Sequence, residues 1–322
     1  MPPLPASMLP DRGRTDRRPA GRARWPALLP VLAGLLAGVA GAPALAQPSD
    51  TLERITATGT IRLGHRESSL PFSYVDRRRQ PMGYSHELAL RVADAVKAEL
   101  KLPALTLNLV PVTSQNRIAL VQNGTVDLEC GSTSHTRERA RQVAFSVSIF
   151  VAQTRLLVHR DSPVRDFADL KGRKVVVTAG TTSDRLLRLY AQRQGLALEV
   201  LTAREHSAAF LMLQSGQADA FMLDDVLLHG ERAKADEPGL WEVRGTPLST
   251  EHYACMMRRD DPAFRAVVNR ALGQLMTSGE ALRLYQRWFQ RPIPPANLNL
   301  AWPPTPALLA LYRAPTDRIP EP

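Results

Sequence analysis

The segment LVQNGTVD at Leu120–Asp127 returns 92 residues later as MLQSGQAD at Met212–Asp219. Both copies run from a helix end through a Gln-x-Gly turn into the start of a strand. Glycine just past a helix supplies the left-handed residue that ends it, and the short apolar run that follows reads as a strand. The same offset maps Ser114 onto His206 and Ser132 onto Asp224. Each copy therefore offers a polar residue at its helix start and another at its strand end. Ligands of open α/β sheets bind at the carboxyl ends of strands, where helix N-termini also point. Two such units facing each other would form a cleft.

The rest of the chain alternates in the same manner. Thr60–Leu63, Leu105–Val110, Val126–Cys130 and Lys174–Thr178 read as strands. Tyr84–Leu100 carries Leu88, Val92, Ala95, Val96 and Leu100 at helical spacing, and Arg117–Gln122 and Asp184–Arg193 are also helical. Phe150–Val158 and His252–Arg258 are apolar segments on either side of the second unit and read as two crossings of a hinge. The expected fold is α/β and two-lobed, each lobe a mixed sheet flanked by helices. Lobe 1 is expected at 50–152 plus 253–300, lobe 2 at 153–252, and a C-terminal tail at 301–322 packing on lobe 1.

Residues 1–46 read as a signal peptide. Six arginines between Arg12 and Arg24 precede the apolar run Ala27–Ala42, and Ala44-Leu45-Ala46 supplies a small-x-small cleavage pattern. The run is short and glycine-rich for a membrane span, although an uncleaved anchor is the rival reading. Either Met1 or Met8 could be the start. The leader also inflates the formal charge of +10, since it holds six arginines against two aspartates. The remaining cations are scattered and form no aromatic-interleaved stripe, which argues against nucleic acid as a partner. Cys130 and Cys255 are the only cysteines. In an exported chain two cysteines favour one disulfide, and no histidine stands at a zinc spacing from them. The expectation is a bridge with both partners in lobe 1, with no metal and no cofactor; two buried thiols are the alternative.

Thr113–Ser146 is the densest source of candidate ligands. It sets Arg117, Arg139 and several hydroxyls around the apolar run TVDLEC. Arginine presents a planar fork of donors that suits carboxylates. Arg117 opens a helix, where a cation is unfavourable beside the positive end of the dipole, so an anion nearby is implied. Ser114 reads as an N-cap able also to touch a ligand. Ser132 and Ser134 follow a strand end, and Thr133 could replace either. Arg66 follows the first strand in a loop. Thr182 opens a helix after a glycine turn, with Thr181 or Ser183 as rivals for the capping task. Asp224 ends the second unit's strand, and Asp225 is its rival.

The segments GHRESSLPFSY, TSQNRIALVQNGTVDLECGST, RERARQVAFS, DFADLKGRKVVVTAGTTS, FMLDDVLLHGERAKA and RWFQRPIPPANLNL resemble the family-3 solute-binding proteins of ABC transporters, in particular those for glutamate and aspartate. The resemblance covers nearly all of the chain after residue 46. It implies a Venus-flytrap fold in the periplasm that closes on L-glutamate or L-aspartate, acts as a monomer and delivers to an inner-membrane ABC permease. It implies that Arg139 clamps the ligand α-carboxylate, that Arg66, Arg117 and His206 meet the side-chain carboxylate, and that Asp224 receives the ammonium. Ser114, Ser132, Ser134 and Thr182 complete the implied set. Related scaffolds also host dehydratases of prephenate-like acids, but no nucleophile–base pair stands out, so an enzyme is the lesser expectation.

Overall fold

The computed structural model describes residues 50–319, so the leader expected at 1–46 lies outside it. The strands are β1 (Thr60–His65), β2 (Ser68–Ser69), β3 (Ser73–Val75), β4 (Pro81–Met82), β5 (Thr106–Pro111), β6 (Leu128–Glu129), β7 (Ala144–His159), β8 (Lys174–Thr178), β9 (Glu199–Ala203), β10 (Ala220–Asp224), β11 (Trp241–Arg244) and β12 (Thr250–Met257). The helices are α1 (Thr51–Thr58), α2 (Tyr84–Glu99), α3 (Arg117–Gln122), α4 (Arg137–Ala140), α5 (Thr182–Gln194), α6 (His206–Gln214), α7 (Asp225–Ala233), α8 (Pro262–Thr277), α9 (Glu280–Gln290) and α10 (Pro306–Arg313). No helix among the described residues is long and apolar enough to cross a membrane.

The architecture is two-lobed and mixed α/β. Strands run in the order β5-β1-β6-β12-β7-β10-β8-β9, with β11 also on β7. In the first lobe β1 lies parallel to β5 and β6; in the second, β8 lies parallel to β9 and β10. The long strand β7 joins them. Its residues Ala144–Gln153 pair antiparallel with β12. From Thr154 onward its partners are β10 and β11.

Alternation along the strands fills both faces of the second lobe. Val175 and Val177 face a core with Leu156, Leu187 and Met222, whereas Val176 and Phe221 face the larger core. Such continuous apolar runs suit strands covered on both sides. Beneath the first lobe's site lies an aromatic cluster: Phe72 packs edge-on to Phe150, Tyr253 and Phe289, and Tyr285 stacks on Phe289 with centroids 4.3 Å apart. After α9 the chain touches both lobes. Tyr74 Oη donates to Pro294 O at 2.7 Å, and the Trp302 ring lies 4.6 Å from that of His229 on α7. The following helix α10 packs on β7 and α8.

Cys130 and Cys255 form a disulfide, with Cα atoms 4.3 Å apart. It ties the end of β6 to β12 next to their pairing at Met256 and Glu129. Both cysteines are buried. The link closes a loop of more than a hundred residues, so replacing the pair by serine should cost about 2–4 kcal/mol. Urea unfolding of the Cys130→Ser/Cys255→Ser variant checks this; an unchanged midpoint would show that the bridge contributes nothing.

Candidate functional site

The first lobe builds its wall from three loops at the carboxyl ends of β1, β5 and β6. Arg66 directly follows β1, and its amide donates to Ser73 Oγ at 2.9 Å. Its side chain is fully buried, with Nε and Nη1 lacking a protein partner. Gly131 lets the backbone pass beside it: a Cβ there would stand 2.4 Å from Glu129 Oε1 and 3.0 Å from Arg66 Cγ. A side chain there would have to push the Glu129 carboxylate and the Arg66 stem aside.

Arg117 is the first residue of α3 and is 2 % exposed. Its Nη1 donates to Thr133 Oγ1 and, at 3.4 Å, to Ser132 O, while Nε is buried without a partner. Burial, with the nearby Arg139 and Arg66 charges, lowers its pKa to about 9, against the opposing pull of Glu129. Thr133, in turn, donates to Glu129 Oε2 at 2.8 Å. A buried cation beside two others calls for an anion.

Ser114 departs from its expected role. The entry to α3 is closed by Thr113 and Asn116, which exchange side-chain-to-backbone bonds of 3.2 and 2.8 Å. The Ser114 hydroxyl caps nothing and is buried without a partner. The physical reason is that α3 begins three residues later than the match to α6 would place it, so position 114 stands outside the first turn while His206 stands inside. Ser132 bonds Ser69 Oγ at 3.3 Å.

Arg139, 8 % exposed, sits in the short helix α4, which Thr136 caps. One arm of its guanidinium donates to Ser134 O at 3.1 Å and the other to Gly180 O at 3.2 Å, on the opposite lobe. Gly180 has φ +78° and lies so close to Ser114 and Gln115 that a Cβ would approach them to 2.9 Å. Ser134 Oγ stands 3.4 Å from Thr182 Oγ1 across the same gap. Capping of α5 falls to Thr181, whose hydroxyl accepts from Asp184 N at 3.2 Å, which leaves Thr182 available.

The second lobe supplies His206 and Asp224. His206 opens α6 with Nδ1 2.8 Å from Thr178 Oγ1, and its buried Nε2 has no partner. Burial and the charges of Arg66 and Arg117 hold its pKa well below the usual range, so the ring is neutral. Asp224 ends β10 and is bonded by Tyr253 Oη and by Thr154 Oγ1 at 3.4 Å. Burial, then Glu251, raise its pKa to about 8. Asp225 turns away and accepts from the backbone of Gln153 and Val226 at 3.1 and 2.7 Å. Sequence reasoning missed Glu129, Glu205, Tyr253, Thr154 and Glu251. Only Glu205 carried a local hint, as the neighbour of His206. Among the described residues no group of His, Cys, Asp and Glu is placed to hold a metal ion.

Three buried arginines, a neutral histidine and a buried aspartate thus line the seam between two lobes. The sequence pattern of the bacterial extracellular solute-binding proteins, family 3, matches residues 61–291 of this chain. The chain belongs to that family. It is 50 % identical over 289 residues to the L-glutamate/L-aspartate-binding protein of Pseudomonas aeruginosa, covering 89 % of this chain and 96 % of the relative. It is 46 % identical over 296 residues to the glutamate/aspartate import solute-binding protein of Escherichia coli, covering 92 % and 98 %. Among solved structures, holo ArgBP from T. maritima superposes with a TM-score of 0.63 at 27 % identity, covering 73 % of this chain and 98 % of that one. An ancestral amino acid-binding protein described as a precursor of cyclohexadienyl dehydratase gives 0.64 at 28 %, covering 75 % and 100 %. The family is one of extracellular solute-binding proteins, and the Escherichia coli relative is named for the import of glutamate and aspartate.

Proposed function

We propose that this protein binds L-glutamate or L-aspartate between its lobes, as a periplasmic monomer, and hands it to an inner-membrane ABC permease after cleavage of the leader 1–46. The lobes are taken as 50–152 plus 253–300 and 153–252, with 301–322 as the tail. The carrying observation is that Arg66, Arg117 and Arg139 are all buried around one seam and that Arg66 and Arg117 keep donors without protein partners. Three cations held out of water are costly unless anions meet them. A ligand with two carboxylates and one ammonium matches them, with Asp224 for the ammonium. The names of the relatives at 46–50 % identity favour the same ligands.

The roles follow from position. Arg139 and Ser134, with Thr182 opposite, serve the α-carboxylate. Ser132 joins them at the α-amino and α-carboxylate groups, while Arg66, Arg117 and Ser114 serve the side-chain carboxylate. If Thr178 donates to His206 Nδ1, the ring proton sits on Nε2, which becomes a neutral donor to that same carboxylate. An enzyme on this scaffold is not favoured, since the curated relatives at 46–50 % identity are named as binding proteins.

Titration calorimetry tests the reading. The native protein should bind glutamate more tightly than glutamine. Arg66→Ala should reduce that preference by about tenfold or more, because the removed charge faces only the side chain of the ligand. An unaltered glutamate-to-glutamine ratio would sink the assignment of Arg66.

A further inference from the structure

Glu205 occupies the position before α6 where a short polar side chain would cap the helix, yet it makes no capping bond. Its carboxylate crosses to the other lobe. One oxygen, Oε2, accepts from Arg66 Nη2 at 2.8 Å and from Ser68 Oγ at 2.7 Å. Arg66 is fully buried, whereas the Glu205 side chain is 18 % exposed. Among the described residues this is the one ion pair that Arg66 makes, and two of its nitrogens have no protein partner at all.

We propose that Glu205 is a counter-ion for Arg66 that engages only as the lobes meet, and so sets how far closure depends on an acidic ligand side chain. The ligand part rests on the glutamate and aspartate reading above; the contact does not. When the lobes part, Arg66 and Ser68 move away from Glu205 and water solvates the guanidinium. When they close, burying that cation unpaired would cost several kcal/mol. Glu205 meets part of the charge whatever the ligand is. An acidic side chain meets the rest through the two free nitrogens. A chain lacking Glu205 must rely on the ligand alone, which glutamate can satisfy in part and glutamine cannot. Losing Glu205 therefore lowers both affinities, and the neutral ligand suffers more.

The experiment compares native protein with Glu205→Gln and Ser68→Ala by calorimetry against glutamate and glutamine. Glu205→Gln keeps size and an acceptor for Ser68 but removes the charge. It should weaken glutamate about tenfold and glutamine by more, so the preference for the acid rises. Ser68→Ala, which keeps the ion pair, should leave the preference unchanged. Unaltered or tighter glutamate binding in Glu205→Gln would overturn the inference. Equal losses for the two ligands would also overturn it, by making Glu205 a plain clasp. If the native protein binds neither amino acid, the functional reading fails by itself. The contact is then judged by joining a Ser68→Cys/Glu205→Cys variant with a short bifunctional thiol reagent that spans the missing length of the glutamate, and the absence of a cross-link would overturn it.

Discussion

Arg139→Ala is expected to raise the Kd for glutamate by about 10²- to 10³-fold, the usual consequence of truncating a buried, hydrogen-bonded charge at a binding surface. Two losses combine. The guanidinium removed is the proposed partner of the α-carboxylate, and it also bridges Ser134 O on one lobe to Gly180 O on the other. Both the ligand and the closed arrangement are therefore weakened. Because every α-amino acid carries the same carboxylate, glutamate and glutamine should lose affinity alike, in contrast to Arg66→Ala. Arg139→Lys should recover little, since an ammonium cannot serve two carbonyls and a carboxylate with a fixed planar fork. Calorimetry on both variants is the measurement. A change of less than about threefold in Arg139→Ala would remove the residue from the site.

Asp224→Asn should separate binding from stability in opposite directions. The carboxylate is buried, with Tyr253 and Thr154 as donors and Glu251 as an unfavourable neighbour. Its pKa rises to about 8 in the folded protein from the ordinary carboxyl value of 3.8. The sign is that of a group whose neutral form is favoured by folding. The stabilisation from burying it neutral is complete below pH 3.8, and it is lost progressively as pH rises toward 8. An asparagine never ionises, so the variant should match the native protein in acid and exceed it near pH 8. A gain of about 1–3 kcal/mol is reasonable for a relieved buried carboxylate, or roughly 2–4 °C in Tm for each kcal/mol. Meanwhile amino-acid affinity should fall about a hundredfold, because the ammonium loses its counter-charge. Melting curves without ligand from pH 4 to 8 and calorimetry at pH 8 read out the two effects. A stability difference that does not grow with pH would contradict the buried-carboxylate account.

The parts of the molecule that were legible in the sequence depend on near neighbours. Arg117–Gln122 and Lys174–Thr178 have the same bounds in sequence and structure because an amphipathic turn and a run of β-branched residues announce themselves locally. Gly124 takes φ +76° after α3, as a glycine past a helix should. The internal match and the family resemblance single out the candidate arginines, His206 and Asp224, and the structure buries all five side chains. The hidden parts depend on distant partners. Glu205 reaches Arg66 across 139 residues, and its place beside His206 hints at the site without naming that partner. Tyr253 sits inside the apolar crossing segment, whose text gives no sign of a polar task; it packs on Phe72 and also bonds Asp224. Ser114 was misread because an N-cap is defined by where a helix starts, which the match to the second unit displaced by one turn.

The strand β7 pairs with β12 up to Gln153 and with β10 from Thr154. Its register against β12 shifts twice between Phe145 and Phe150 and is regular from there on, so from Phe150 one alternation of faces fixes the phase of everything pleated along it. Phe150 in one lobe and Leu156 in the other are thus locked to the same count, as is Thr154 beside Asp224. A single residue inserted near Ala152, inside the regularly paired stretch Phe150–Gln153, would leave the start of β7 in place and turn over every side chain beyond it. The apolar faces of the second lobe and the donor to Asp224 would invert together. The regularly paired part of the crossing segment is for that reason intolerant of insertion and deletion, although none of the three candidate arginines lies in it.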